Sequence, residues 1–333
     1  MLHSAIQQLW PGAQGELGLY RGSVIGRNGA AEAPLLPWPD QQVLMYDASW
    51  RAPLTVEGAD ARKWLNGMIS ANVRELRPGQ FAPSFQLDPK GHILAMLDVV
   101  CTGTDSFLLL TDEAQQQELE QRLRKFVFVS KVKLENRGGS WAALRLRGQK
   151  ASAVAAEAGL SAPAPGSAEA LEEGWALTAA PGGVGQIEYV APAAAIVATW
   201  ERLQTRATPA GSVCQERDRI LTRQPLYGYD VTETELPQET GQQERLSLTK
   251  GCYIGQEIVE RIRARGAVHR RWGAFLFAAP VTAGAPLEVA GRAAGNLTSV
   301  TAHAGGWLAL GYVRDAQPQQ VVTAAGVTGH LLD

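Results

Sequence analysis

Short runs of apolar residues that end at turn-forming residues predict most of the strands. Residues 81–87 and 93–100 are two such runs, and the tetrapeptide Asp88-Pro89-Lys90-Gly91 between them is typical of a tight reversal. The pattern therefore predicts a β-hairpin. Upstream, the segment from Asp60 to Leu65 predicts a short helix that Asp60 or a neighbouring residue caps and that Asn66-Gly67 ends.

A strand followed by a helix occurs twice in the middle of the chain. Phe107–Leu110 precedes a helical pattern that ends at Leu123, and Ile187–Val190 precedes a second pattern that ends at Leu203. The two units align without gaps, which predicts two α+β half-units packed side by side. Chance recurrence of a common strand–helix unit is an equally good explanation of this alignment.

The last part of the chain has a different pattern. After Arg271, short apolar runs alternate with Gly, Asn and Pro, which predicts a small all-β barrel or sandwich. The runs are 272–277, 286–290, 297–301, 307–313 and 321–332. Residues 21–41 predict an irregular arm, and residues 151–170 predict a short helix followed by a loop.

Composition and charge restrict the class of protein. A chain of 333 residues exceeds the usual size of one hydrophobic core, and 45% apolar with 19% charged residues is ordinary for a globular protein. The formal net charge of -2 gives no overall attraction to nucleic acid. The N-terminus has no leader pattern and no apolar run would span a membrane, so we expect a cytoplasmic protein without a membrane partner.

The spacing of the cysteines indicates a single functional thiol rather than a disulfide framework. Cys101, Cys214 and Cys252 lie far apart without paired spacing, so we expect neither a disulfide framework nor a metal site within the chain. Cys252 stands in the run Lys250–Glu257, between glycines and near the predicted start of a helix. Helix amides and the Lys250 ammonium would both favour its thiolate form. The alternative is a small buried apolar cysteine.

The octapeptide Lys250–Glu257, with Leu226–Glu239 before it and Ile258–Arg261 after it, resembles the YgfZ family. These are folate-binding, iron–sulfur-cluster-related proteins, relatives of the glycine-cleavage T-protein, an aminomethyltransferase. The segments Gly295–Ser299 and Leu308–Val313 resemble the C-terminal barrel of T-proteins.

The resemblance implies an α+β, T-protein-like fold with two interleaved lobes and a small C-terminal all-β barrel. On this basis one lobe comprises residues 1–48 and 136–265, the other comprises residues 49–135, and the barrel comprises residues 266–333. The resemblance also implies a cavity for tetrahydrofolate or a related folate. We expect its binding residues among Tyr229, Tyr253, Gln256, Glu188 and Arg261.

Two departures from T-proteins leave enzymatic activity undecided. Where T-proteins have a glutamate in a Gly-Tyr-Thr-Gly-Glu run, this chain has Gly182–Glu188, and the carboxylate is not clearly matched. Where T-proteins have a pair of aspartates, this chain has Leu94 and Ala95. Asp98 lies further along the same strand and would replace them only after a shift of register.

Basic residues surround Cys252 in the sequence and suggest an anionic ligand. Such a ligand would be a folate glutamate tail, a phosphate or an RNA backbone. Alternatively, Arg261, Arg263 and Arg265 lie on the solvated face of a strand that leaves the helix. The basic residues are Arg245, Lys250, Arg261, Arg263, Arg265, Arg270 and Arg271.

The resemblance therefore predicts a folate-binding auxiliary protein for assembly or repair of iron–sulfur clusters, with an indirect effect on tRNA modification. Cys252 would be the functional thiol, aided by Lys250. Its partners would be folate and iron–sulfur client or assembly proteins, with a weak RNA contact. The alternatives are a folate-dependent one-carbon transferase, and an RNA- or protein-binding module that uses residues 261–271.

Overall fold

The computed structural model of the chain describes residues 17–21, 23–26, 42–178, 185–266, 268–314, 317 and 319–332. The chain forms two compact units: unit 1 comprises Met1–Ser84 and Ala95–Gln215, and unit 2 comprises Phe85–Leu94 and Glu216–Asp333. The three domain ranges predicted from the sequence stay predictions.

Groups of strands separated by single helices make up the first two thirds of the chain. In order, these elements are β1 Leu17–Tyr20, β2 Ser23–Gly26, β3 Leu44–Asp47, β4 Arg51–Glu57, α1 Ala61–Met68, β5 Phe81–Leu87, β6 Ile93–Gly103, β7 Ser106–Asp112, α2 Glu113–Arg124, β8 Lys133–Asn136, β9 Trp141–Arg147, α3 Ala151–Glu157, β10 Ala168–Ala170, β11 Trp175–Thr178, β12 Gln186–Pro192, α4 Ala193–Leu203, β13 Thr208–Ala210 and α5 Ser212–Leu221.

The remaining elements are mostly strands. They are α6 Gln256–Arg265, β14 Arg271–Phe277, β15 Pro286–Val289, β16 Arg292–His303, β17 Gly306–Val313, β18 Val321–Ala324 and β19 Val327–Leu331, with short 3-10 turns at Pro237–Glu239 and Gln243–Arg245.

Two sheets organise unit 1. The five-stranded sheet has the order β5-β6-β7-β4-β8, and the six-stranded sheet has the order β10-β11-β12-β9-β3-β13. Alternate residues of β6, from Ala95 to Cys101, pack with apolar side chains of α1 and α2. Alternate residues of β12, Ile187 and Tyr189, pack with α3 and α4. Because successive side chains of a strand point to opposite faces, one face of each sheet packs against its helices.

The opposite faces of the two sheets share another apolar cluster. Trp50, Val100, Leu108, Ala143 and Val190 belong to it. Unit 1 is thus layered as helices, sheet, sheet and helices. The predicted strand–helix repeat is confirmed, since β7 leads into α2 and β12 leads into α4. The residues before these helices, Asp112 and Pro192, occupy the N-cap positions.

A closed six-stranded barrel forms the C-terminal part of unit 2, as predicted. Its strand order is β14-β17-β16-β15-β18-β19. The last predicted run, 321–332, is a hairpin rather than one strand, because Ala325 and Gly326 turn the chain with φ of 50° and 79°. Two consecutive positive φ angles are typical of a two-residue hairpin turn.

Two local predictions were wrong. Helix α1 continues through Asn66-Gly67 to Met68, because the buried Asn66 side chain accepts a 3.2 Å hydrogen bond from the Val73 amide and so stabilises the segment. The predicted irregular arm contains strand β2, which pairs with β1 in antiparallel fashion. Residues 27–41 of that arm lie outside the described residues.

Candidate functional site

Cys252 lies on the surface between two buried residues. Its side chain is exposed, whereas Lys250 and Tyr253 are each only 7% exposed. Nζ of Lys250 lies 4.8 Å from the centroid of the Tyr253 ring, so a cation–π contact joins the residues on either side of the thiol. The alternative of a buried apolar cysteine is therefore wrong. The loop presents the thiol while its two ends are held in place.

The helix that follows this loop is positioned by two glycines. Gly255 precedes α6 with φ of 85°, and a methyl group there would lie 2.6 Å from the carbonyl oxygen of Asp88. A methyl group on Gly91 would lie 2.9 Å from Cβ of Ile258. Carbon atoms do not approach their neighbours this closely, so the hairpin turn and the helix pack together only because both positions are glycine.

The relation of Cys252 to the helix differs from the prediction. Gly255 is the N-cap residue of α6, so Cys252 precedes the cap and is not in the first turn. The influence of the helix dipole is confined to that turn, and the expected activation of the thiol by helix amides is not supported.

The aromatic residues predicted to bind a cofactor have different environments. Tyr229 is 70% exposed. The buried hydroxyl of Tyr253 has no hydrogen-bond partner among the described residues, and burial together with the charge of Glu260 raises its pKa to about 12. Tyr229 therefore offers an accessible ring. Tyr253 offers an unused donor that stays protonated at neutral pH.

Gln256 and Arg261 belong to helix α6. Gln256 is its first residue. Arg261 pairs with Glu257 at 2.7 Å, one turn away on the exposed surface. Arg263 pairs similarly with Glu260 at 2.6 Å. The prediction that these arginines follow the helix on a strand is wrong, because α6 extends to Arg265.

Arg270 is also engaged by carboxylates. It bonds to Glu235 at 2.9 Å and to Glu239 at 3.1 Å, and its guanidinium lies over the ring of Tyr312. Burial opposes ionisation of Glu235, but hydrogen bonds from Thr232 and the charge of Arg270 outweigh it and lower its pKa. Much of the basic charge predicted around Cys252 is thus neutralised within unit 2.

Glu188 belongs to unit 1, whereas the other predicted site residues belong to unit 2. Its carboxylate accepts hydrogen bonds from Arg51 at 2.8 Å and Arg145 at 2.5 Å. Burial opposes ionisation, yet the two guanidinium groups outweigh it and lower the pKa of Glu188 to about 2. Both oxygens already hold internal partners. The predicted contact of Glu188 with a folate stays a prediction.

Arg51 also engages Asp98, the carboxylate considered as a substitute for the missing transferase aspartate. Nη2 of Arg51 donates a 2.6 Å hydrogen bond to Oδ2 of Asp98. The guanidinium groups of Arg51 and Arg145 lie 5.8 and 4.9 Å from the ring centroid of Trp50. The resulting ion-pair cluster is structural in character. Sequence reasoning missed Arg51 and Arg145 because no local pattern marks long-range partners.

Asp230, in the segment that resembles the YgfZ motif, has a structural role that the sequence did not reveal. It is buried and accepts hydrogen bonds from Arg219 at 2.5 Å, from the Leu226 amide at 2.8 Å and from Ser299 at 2.8 Å. Thr298 also donates to it. Asp230 thereby joins α5 and the following turn to barrel strand β16.

A mostly apolar cavity of about 260 Å³ lies beside α6 within unit 2. Its lining residues are Gln238, Gln243, Leu246, Leu248, Ile262, Arg263, Gly266 and Val268. Among the described residues, no group of three His, Cys, Asp or Glu side chains is placed to hold a metal ion. Cys101 and Cys214 are both buried, so Cys252 is the accessible thiol. Within the described parts of the chain, no helix has the length and apolar character needed to cross a membrane.

Comparisons with known proteins agree with this architecture. Residues 39–176 match the family described as the GCVT N-terminal domain. A protein of Arabidopsis thaliana, provisionally described as a chloroplastic transferase, is 25% identical over 83% of this chain and 66% of its own length. This chain therefore aligns with slightly less than two thirds of that protein. An aminomethyltransferase of Xanthomonas axonopodis is 26% identical over 70% of this chain and 67% of its own length.

An uncharacterized protein of Haemophilus influenzae is 26% identical over 65% of this chain and 68% of its own length. The crystal structure of the glycine cleavage system aminomethyltransferase T from Bartonella henselae superposes with a TM-score of 0.90, covering 100% of this chain and 97% of that one at 20% identity. At this identity the likeness establishes the fold. Residues 39–176 therefore resemble the GCVT N-terminal domain, and the chain has the α+β fold of the aminomethyltransferase T-protein, with a C-terminal six-stranded barrel.

Proposed function

We propose that this chain is a YgfZ-type auxiliary protein that binds a folate and assists the assembly or repair of iron–sulfur clusters in client enzymes. Cys252 is its functional thiol. The observation that carries the proposal is the exposure of Cys252 on a loop whose neighbouring residues, Lys250 and Tyr253, are buried and in contact. A fixed, accessible thiol is suited to repeated encounters with another protein.

The chemistry of one thiol limits the proposed role. A thiolate can coordinate one iron of a cluster or take part in thiol exchange, but stable clusters are usually held by four ligands. Cys101 and Cys214 are buried and do not add to the set. The iron–sulfur cluster would therefore be a substrate that Cys252 contacts transiently, not a group that this protein holds. An indirect effect on tRNA modification would follow through client enzymes that depend on clusters.

The folate part of the proposal rests on the aminomethyltransferase-like fold and on two residues of unit 2. A pterin needs an aromatic face and hydrogen-bonding groups. Tyr229 has an exposed ring, and the Tyr253 hydroxyl has no partner among the described residues. Both fit a flat, polar ligand. Glu188 fits less well because Arg51 and Arg145 already bind its oxygens.

The transferase alternative is favoured by the similarity to aminomethyltransferases. It requires a carboxylate that is available to the substrate, and Asp98 is instead bonded to Arg51 at 2.6 Å. Turnover of tetrahydrofolate with a methylamine donor, lost in Asp98→Asn, would establish this alternative. We favour the auxiliary role because the accessible chemical group is the thiol.

Complementation tests the role of the thiol. In a strain that lacks this protein, Cys252→Ala and Cys252→Ser should fold normally but fail to restore the activity of a cluster-dependent enzyme. Cys214→Ala is the matched control, because it removes a buried thiol and should restore that activity. Full rescue by both Cys252 variants would contradict the proposal.

A titration tests the folate. Addition of tetrahydrofolate to the purified protein should change the rate at which iodoacetamide alkylates Cys252, and Tyr253→Phe should weaken this effect. If tetrahydrofolate binds without any change in alkylation, the folate site is unrelated to the thiol. If it does not bind, the folate part of the proposal fails.

A further inference from the structure

The loop after α2, residues 125–131, carries the two most exposed large apolar side chains among the described residues. Phe128 and Val129 are each 95% exposed, and Phe126 is 50% exposed. Together they present roughly several hundred Å² of apolar surface, a size that marks interaction sites on soluble proteins.

These side chains lie at the corner of a tight turn. The amide of Ser130 donates a 3.1 Å hydrogen bond to the carbonyl oxygen of Val127, which places Phe128 and Val129 at the two central positions. Such positions usually carry Gly, Pro, Asn, Asp or Ser. The turn itself gives no reason for two large apolar residues there.

The base of the loop is firmly attached to unit 1. Val127 and Val132 pack against the apolar cluster around α1 and α2. Trp64 Nε1 donates a 2.9 Å hydrogen bond to the carbonyl oxygen of Phe126, and Asp60 accepts one of 2.7 Å from the Lys131 amide. The corner therefore points outward from a fixed base.

Positive charge flanks the corner on both sides. The segment from Arg122 to Lys133 contains five basic residues and no acidic one. Three of the five are paired with carboxylates, namely Arg122 with Glu118, Arg124 with Glu120 and Lys133 with Glu135. Lys125 and Lys131 are exposed and form no ion pair with a described residue. An apolar tip between free ammonium groups is complementary to a surface with an apolar interior and an anionic boundary.

We propose that residues 125–131 form a peripheral contact with anionic lipid bilayers, in which Phe128 and Val129 enter the acyl boundary and Lys125 and Lys131 contact lipid phosphates. An anionic bilayer offers both environments. RNA is less suitable, because Val129 has no aromatic face to stack on a base. A protein partner is also less suitable, because a four-residue corner is small beside a stable protein interface.

This inference differs from the sequence-based expectation of no membrane partner. It concerns the membrane surface and requires no spanning helix. It is independent of the proposed function, since it involves neither Cys252 nor the folate residues.

Co-sedimentation with vesicles tests the proposal on the full-length protein. With vesicles of phosphatidylcholine containing about one third phosphatidylglycerol, the wild type should sediment, and with phosphatidylcholine alone binding should fall about tenfold or more. The double variant Phe128→Ser, Val129→Ser should lose about tenfold in binding to the anionic vesicles. Lys125→Glu with Lys131→Glu should show a similar loss. Both pairs are exposed, so circular dichroism should be unchanged.

The matched control is Val321→Ser, which removes an exposed apolar side chain far from the loop in sequence, in unit 2 rather than unit 1. This variant should bind vesicles as the wild type does. Three results would overturn the proposal: no sedimentation of the wild type, equal binding to neutral vesicles, or full binding by the Phe128→Ser, Val129→Ser variant. Binding to single-stranded poly(U) that depends on Phe128, without vesicle binding, would assign the loop to nucleic acid instead.

Discussion

Arg51 donates a 2.8 Å hydrogen bond from Nε to Oε1 of Glu188, and both side chains are almost fully buried. Arg145 binds the other oxygen of the carboxylate. A buried carboxylate is stable only when such partners compensate for lost hydration. The pair therefore links β4 to β12, and with them the two sheets of unit 1.

Replacement of Glu188 by Gln should lower the free energy of unfolding by about 3 kcal/mol at neutral pH, because it removes the charge that Arg145 pairs with and leaves the buried Arg51 with Asp98 as its remaining ion-pair partner. Urea denaturation followed by circular dichroism measures this loss. Glu172→Gln, an exposed change elsewhere in unit 1, is the control and should be nearly neutral. A loss below about 0.5 kcal/mol for Glu188→Gln would show that the pair contributes little.

The same carboxylate predicts a pH dependence. The pKa of Glu188 is about 2 in the folded protein against an ordinary value of 4.5. Its contribution to stability is therefore complete above pH 4.5 and is lost as the pH falls toward about 2. In that interval the wild type should lose more stability than Glu188→Gln. Urea midpoints measured at several pH values would reveal the difference, and parallel pH curves would contradict it.

Gly255 and Gly251 should respond differently to alanine. Gly255→Ala introduces a methyl group 2.6 Å from the Asp88 carbonyl oxygen at a φ of 85°, so we expect a loss of about 2 kcal/mol or more. Nothing lies within 4 Å of a methyl group on Gly251, and Gly251→Ala should stay within about 0.5 kcal/mol of the wild type. Thermal unfolding compares the two. Equal losses would refute the packing argument.

Asp230→Asn should destabilise unit 2 by about 3 kcal/mol, because it leaves the buried Arg219 with only the partly exposed Glu216 as counter-charge. Thr298→Val removes one donor to the same carboxylate and should cost about 1 kcal/mol. Urea denaturation monitored by tryptophan fluorescence measures both. If Asp230→Asn is as mild as Thr298→Val, the buried ion pair is not what stabilises this junction.

Tyr253→Phe should leave stability unchanged or raise it by up to about 1 kcal/mol, because the hydroxyl that it removes is buried without a partner among the described residues. Differential scanning calorimetry checks this. A clear loss of stability would mean that the hydroxyl has an internal partner, and would remove a reason for assigning it to a ligand.

The sequence predicted those parts of the fold that depend on short-range patterns. The hairpin around Asp88–Gly91, the repeated strand–helix units and the barrel all follow from periodicity and turn residues. The end of α1 was placed too early because the bond from Val73 to Asn66 joins residues that no helix rule relates. The strand β2 within residues 21–41 was missed because local composition favoured a loop.

For the candidate site, the sequence indicated the thiol but not the environment in which it lies. The Lys250–Glu257 motif indicated Cys252, and the thiol is exposed. The sequence suggested Lys250 as a reactive cation and Tyr253 as a ligand residue, and it did not reveal the cation–π contact between the two. The engagement of Asp98 and Glu188 by Arg51 depends on packing of distant strands. No local pattern of residues encodes it.

The hairpin tip Phe85–Leu94 belongs to unit 2 although the chain before and after it belongs to unit 1. A single cut in the gene therefore cannot yield both units intact. A fragment that starts near residue 216 would contain the cysteine loop and the barrel. It would lack residues 85–94, which include the residues that pack against Gly255. Such a fragment needs residues 85–94 supplied in trans or grafted through a linker.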